Sequence, residues 1–148
     1  MLAKYWGKIS DQNQYNHIRQ RYGDSTDCNA QLKALQSLGL NATYHQNGNA
    51  ESLKKEIDAG RPVAVGWLHH GSSSAPSGGG HWTVVIGYDE TGFWMNDPYG
   101  SCDLVNGGYP GGGNPKDQIG KHDHYSYKNW LPRWMPAGSP GWYLACTT

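Results

Sequence analysis

The sequence contains one phenylalanine, no surplus of either charge and no long apolar run, and each shortage excludes something. A membrane-spanning helix needs about 20 consecutive apolar residues, and nothing here approaches that. The opening residues, MLAKYWGKIS, lack the apolar region of a secretory leader. Lys plus Arg and Asp plus Glu number twelve each, so the basic footprint of a nucleic-acid binder is missing. The three cysteines, Cys28, Cys102 and Cys146, permit at most one internal disulfide and contain no CxxC spacing for a zinc ribbon. Free, partly buried thiols are expected. Donors for a metal exist at His69, His70, His81, His122, Asp123 and His124, but no HExxH spacing aligns them on a helix. No metal or other cofactor is expected.

What the chain does contain is 21 Gly, seven Trp and ten Tyr in a length that suits one domain. Met1 to Trp6 reads as the end of a helix stopped at Gly7. Ser10-Asp11 can cap a second helix through about Tyr22, with Tyr15, Ile18 and Tyr22 on its apolar side. Asp27 can cap a third, from Cys28 to Leu38, burying Leu32, Leu35 and Leu38. Leu40, Ala42 and Tyr44 alternate with polar residues, as a half-buried strand does. Asn49 caps a fourth helix, with Leu53 and Ile57 one turn apart and Gly60 at its end.

The organising stretch is Arg61 to Gly100. Pro62 to Leu68 fits a buried strand, a Gly- and Ser-rich loop follows, and His81 then opens a second apolar run, Trp82 to Ile86. Asp89-Glu90-Thr91-Gly92 has turn chemistry, so Gly87 to Asn96 predicts a hairpin whose returning strand ends at Pro98. Residues 98–141 are crowded with Gly, Pro, Asn and aromatics and predict little regular structure, before Trp142 to Cys146 returns as a final strand. Helices first and an antiparallel sheet after make an α+β domain spanning 1–148.

A histidine at one strand start and an aspartate at the end of its neighbour suggest a base and its orienter. An imidazole acting as a base needs a partner on its second nitrogen to fix the tautomer and to stabilise the imidazolium. His81 and Asp97 can meet only if they share a face of the sheet. That requires the paired residue numbers to total an even value; a total of 180, for example, sets Asp97 opposite Thr83. Cys28, at a helix start where the dipole favours a thiolate, is a candidate nucleophile, although the adjacent Asp27 opposes it. Trp130, Trp134 and Arg133, with Trp82 beside His81, are candidate substrate-binding residues; the alternative is that these rings simply cover the sheet. Gly78-Gly79-Gly80 lacks the Lys-Ser/Thr of a phosphate loop.

The segments Leu32 to Asn41 (LKALQSLGLN), Leu53 to Val65 (LKKEIDAGRPVAV) and His81 to Tyr99 (HWTVVIGYDETGFWMNDPY) resemble the C39-like family of papain-type cysteine peptidases. The resemblance covers residues 1 to about 100 and implies a papain-like fold, with His81 as general base and Asp97 orienting it. It also implies a cysteine at the start of the first helix, in a Cys-Gly-Pro-like segment, preceded by an oxyanion glutamine. Met1 to Gly7 resembles the end of that helix, so on this alignment both residues fall before residue 1, and weak or absent hydrolysis is expected of these 148 residues alone. The tail, residues 98–148, with Asn106 to Tyr109 and Tyr127 to Trp134, resembles tails of C39-like domains in bacteriophage lysins and virion proteins, which implies bacterial cell-wall peptidoglycan as substrate. Two other classes remain open at this point: a non-catalytic peptidoglycan- or glycan-binding module and, more remotely, a zinc hydrolase.

Overall fold

The computed structural model describes residues 1–24, 27–78, 80–110 and 122–147. Side-chain caps set most of the helix starts. Asp11 accepts from the Gln14 amide to open α2 (Gln12–Arg19), after the short α1 (Leu2–Tyr5). Asp27 accepts from the Asn29 and Ala30 amides at the head of α3 (Cys28–Ser37). Asn49 and Ser52 cap each other reciprocally in front of α4 (Ala50–Asp58). The second helix stops short of the expected Tyr22, which is exposed. Of the apolar residues expected on it, Tyr15 packs against the core and Tyr22 does not, so a further turn would have little to pack on.

Six strands, β1 (Asn41–Gly48), β2 (Val63–Trp67), β3 (His81–Tyr88), β4 (Gly92–Asn96), β5 (Asp123–Ser126) and β6 (Gly141–Thr147), form one sheet in the order β1-β6-β2-β3-β4-β5. Every neighbouring pair is antiparallel. The last strand does not close an edge; it inserts between β1 and β2. The tail is also more regular than expected, for β5 and α5 (Tyr127–Trp134) lie within it. α5 forms although it carries Pro132 inside it. Ser126 caps that helix through the Asn129 amide, and the buried Trp130 and Trp134 anchor it on the sheet. Residues 111–121 of the tail, and Gly79 of the glycine loop, lie outside the described residues.

Strand alternation divides the core in two. One face carries Val63, Val65, Trp67, Val85, Phe93, Met95 and Tyr125 under α4 and α5. The other carries Ala42, Ala64, Val84, Leu144 and Cys146 under α1 and α3. His81 and Thr83 follow the first set and Trp82 the second, because successive side chains on a strand point to opposite faces.

The register of the β3–β4 hairpin changes once. Next to the turn, Tyr88 pairs with Phe93 and Gly87 with Trp94, an odd total; further on, Val85 pairs with Met95 and Val84 with Asn96, a total of 180. One extra residue on β3, Ile86, makes the difference. Without this bulge the hairpin would send His81 and Asp97 to opposite faces.

Glycine at 141 is a packing requirement. A Cβ there would lie 2.1 Å from the Trp134 indole, which spans Gly141 and Gly48 and donates Nε1–H to the Trp142 carbonyl at 2.8 Å. Overpacking of this kind costs about 1–3 kcal/mol, which in a domain of this size lowers the melting temperature by roughly 3–10 °C. Gly141→Ala should show that drop in a thermal melt; an unchanged melting temperature would contradict the packing described.

Candidate active site

The bulge brings the two sequence-predicted residues together. His81 is the first residue of β3 and Asp97 follows the last residue of β4. They are 6% and 3% exposed, and His81 Nε2 lies 2.8 Å from Asp97 Oδ1. Three further donors surround the carboxylate: the Tyr99 amide on Oδ1 at 3.0 Å, and on Oδ2 the hydroxyls of Tyr125 at 2.6 Å and Tyr109 at 2.7 Å. Four donors from four directions leave the carboxyl plane little freedom, so the imidazole it holds has little freedom either.

The surroundings keep both tyrosines as donors. Burial first, and the Asp97 charge second, push the Tyr109 and Tyr125 hydroxyls far above the usual phenol range. Neither gives up its proton at any ordinary pH. The His81 ring is walled by Tyr99, stacked at 4.5 Å between centroids, by Trp67, edge-on at 5.5 Å, and by His69 and Tyr109 at 5.3 Å each. Its Nδ1 has no hydrogen-bond partner among the described residues. With Nε2–H committed to Asp97, the lone pair available for proton transfer belongs to Nδ1.

None of the three thiols hydrogen-bonds to His81. Cys28 opens α3 and lines a cavity of about 350 Å³ with Gly66, Trp67, Gly80, Trp82 and Trp142, but His81 is not among the residues that line it. Cys146 belongs to the core on the Trp82 face. Cys102 comes nearer, its Sγ 4.0 Å from the His69 carbonyl oxygen, but burial pushes its thiol up to about 11 and it remains protonated. All three are free cysteines. His122 and Asp123 sit at the start of the edge strand β5, and His124 bonds Asp89 and Thr91 at the hairpin turn. No three His, Cys, Asp or Glu side chains converge as a metal site among the described residues.

A model of the Peptidase_C39 like family matches residues 1–108. The chain belongs to the C39-like peptidase family. Its structure is similar to the peptidase domain of Streptococcus ComA, a bi-functional ABC transporter involved in a quorum-sensing pathway, with a TM-score of 0.64 at 14% identity over 98% of this chain and 83% of that one. A putative C39-like peptidase from Bacillus anthracis is also similar, with a TM-score of 0.44 at 17% identity over 80% of this chain and 58% of that one. No curated protein matches the sequence. The six-stranded antiparallel sheet with its helices is thus the papain-like α+β fold of C39 peptidase domains, and the family implies a peptide substrate.

In this C39-like chain the expected aromatic platform does not exist as a surface. Trp130 and Trp134 are 0% and 2% exposed; the Trp130 ring stacks on Trp134 and meets Trp67 and Phe93 edge-on. Arg133 is 0% exposed and bonds only to backbone carbonyls. The reason is helix geometry: α5 turns all three toward the sheet. Truncating a buried Trp costs about 3–5 kcal/mol, a large part of a normal stability margin, so Trp130→Ala would report unfolding rather than lost binding. Trp82 is placed differently. Its ring lies over Gly66 on the face opposite His81 and lines the cavity that also holds Trp142.

Four contributors to the site carried no sequence signal for it: Tyr99, Tyr109, Tyr125 and His69. Tyr109 and Tyr125 come from the aperiodic tail: the return of β5 beside β4 delivers Tyr125, and the loop whose Gly108 amide bonds the His69 carbonyl delivers Tyr109. His69 shares a face with His81 only through the loop that leaves β2.

His69 gives the site an acid-side signature. Burial, then the neighbouring His70 and His81, lowers it from 6.5 to about 4. The unfolded chain takes up that proton near pH 6.5 while the fold resists it, so the contribution to stability is complete above 6.5 and is lost as pH falls toward 4. The ring is partly exposed, which keeps the effect small. His69→Gln should lose less thermal stability than the parent between pH 7 and 4; equal losses would remove His69 from the account.

Proposed function

We propose that His81 and Asp97 are the base and orienter of a cysteine-peptidase site that hydrolyses amide bonds in the peptide part of bacterial cell-wall peptidoglycan, in the manner of a phage lysin. The observation that carries the reading is the 2.8 Å bond from His81 Nε2 to a fully satisfied Asp97, with Nδ1 left bare. In the proposed reaction Nδ1 takes the proton of a cysteine thiol, the thiolate adds to the amide carbonyl, and the imidazolium returns its proton to the leaving amine. Water, activated by the same nitrogen, then releases the acyl group. Asp97 stays ionised throughout and stabilises the imidazolium.

The thiol and the oxyanion glutamine of this reaction are taken from the resemblance alone, for none of the three thiols described above is placed at Nδ1. A cavity of about 380 Å³, lined by Met1, Leu2, Ala64, Trp82, Thr83 and Pro98 among others, adjoins the chain neighbours of the pair, and neither His81 nor Asp97 lines it. The peptidoglycan assignment draws on the likeness of the tail to lysin tails. A second reading, a binding module that has kept the fold without the reaction, draws on the lack of a thiol at Nδ1.

Release of new amino groups from purified peptidoglycan separates these readings. Fused behind a Cys-Gly-Pro-like helix start that supplies a thiol, this chain should release them, and His81→Ala should cut the rate by about a thousandfold or more while wall pull-down persists. The 148 residues alone should release none. Turnover by those residues that Cys28→Ala abolishes would refute the reading of the nucleophile, and binding without hydrolysis by the fusion would favour the module.

A further inference from the structure

We propose that Arg133 is a positioning residue for the His81–Asp97 pair, acting as a five-bond clamp on the two loops that wall it. The inference rests on the reading of that pair as the reactive centre. A guanidinium has five N–H donors, and all five are used. Nε donates to the Leu104 carbonyl at 2.9 Å. Nη1 donates to Leu68 at 3.2 Å and His70 at 3.0 Å, and Nη2 to Gly71 at 2.7 Å and Leu104 at 2.6 Å. No carboxylate pairs with Arg133 among the described residues. A buried cation without an ion partner is costly, so a role limited to filling space would be better served by an apolar side chain.

The four carbonyls belong to two segments. Residues 68–71 leave β2 and carry His69 to within 5.3 Å of the His81 ring. Residues 102–109 carry Tyr109, whose hydroxyl holds Asp97, and Cys102, whose amide donates to the Tyr125 hydroxyl at 2.9 Å. The segments also meet directly. Gly108 donates its amide to the His69 carbonyl at 2.7 Å, and Gly107 presses on Gly71 so closely that a Cβ would lie 2.3 Å from the Gly71 oxygen. Arg133 therefore bridges both sides of one seam, and its own carbonyl accepts the Leu68 amide at 3.0 Å. Lysine cannot reproduce this, because three donors on one nitrogen do not span four carbonyls.

The test reads the His81 ring by nitrogen NMR, taking the ratio of the Nε2–H to the Nδ1–H tautomer. Arg133→Met, Arg133→Lys and Gly107→Ala are compared with Gly141→Ala, which strains the same helix away from the seam. The clamp predicts at least a threefold fall in that ratio for Arg133→Met and Gly107→Ala, a partial fall for Arg133→Lys, and none for Gly141→Ala, although all four melt lower. A folded Arg133→Met with the parental ratio overturns the proposal, as does an equal fall in Gly141→Ala, which would reduce the effect to general loosening. If Arg133→Met does not fold, Gly107→Ala decides alone, and the parental ratio there is the overturning result. The readout needs no turnover, so failure of hydrolysis and failure of the clamp are told apart.

Discussion

One surplus residue on β3 governs the site. Ile86 has no partner on β4, and its insertion changes the parity of the hairpin between the turn and the strand ends. Side-chain direction in a sheet is binary, so parity is all or nothing. With it, His81 and Asp97 share a face and stand 2.8 Å apart; without it, the sheet itself would separate them.

The polar groups so gathered are buried among Trp67, Tyr99 and Tyr125, where an unmatched donor or acceptor is expensive. The structure meets that cost by saturation. Asp97 takes four hydrogen bonds and Arg133 gives five, while burial first and the carboxylate beside them second push two phenols up and keep them as donors. Among the described residues three nearby atoms stay unmatched: His69 Nδ1 and Trp130 Nε1, which are buried, and His81 Nδ1. Of these, His81 Nδ1 belongs to the ring that Asp97 orients, and chemistry can proceed from it.

Local rules made much of this legible. The caps at Asp11, Asp27 and Asn49 place three helix starts, and alternation places the strands around His81 and Asp97. The C39-like segments led to the family that the match over residues 1–108 establishes. Three things were beyond local rules. Nothing in Val84 to Tyr88 marks Ile86 as a bulge, since any of these residues could be the extra one. The crowding of Gly, Pro and Asn over residues 98–141 hid α5, where packing of Trp130 and Trp134 outweighs the backbone bond lost at Pro132. The exposed aromatic surface expected of Trp130, Arg133 and Trp134 follows from composition, whereas their true position follows from which side of α5 meets the sheet.

Asp97 holds His81 with Nε2 protonated and Nδ1 bare. Ring-nitrogen NMR of the unmodified protein at neutral pH measures this directly. The account predicts a dominant Nε2–H tautomer, with a coupling that places that proton between His81 and Asp97. A dominant Nδ1–H tautomer would contradict it, because the proton would then occupy the position from which the base must act.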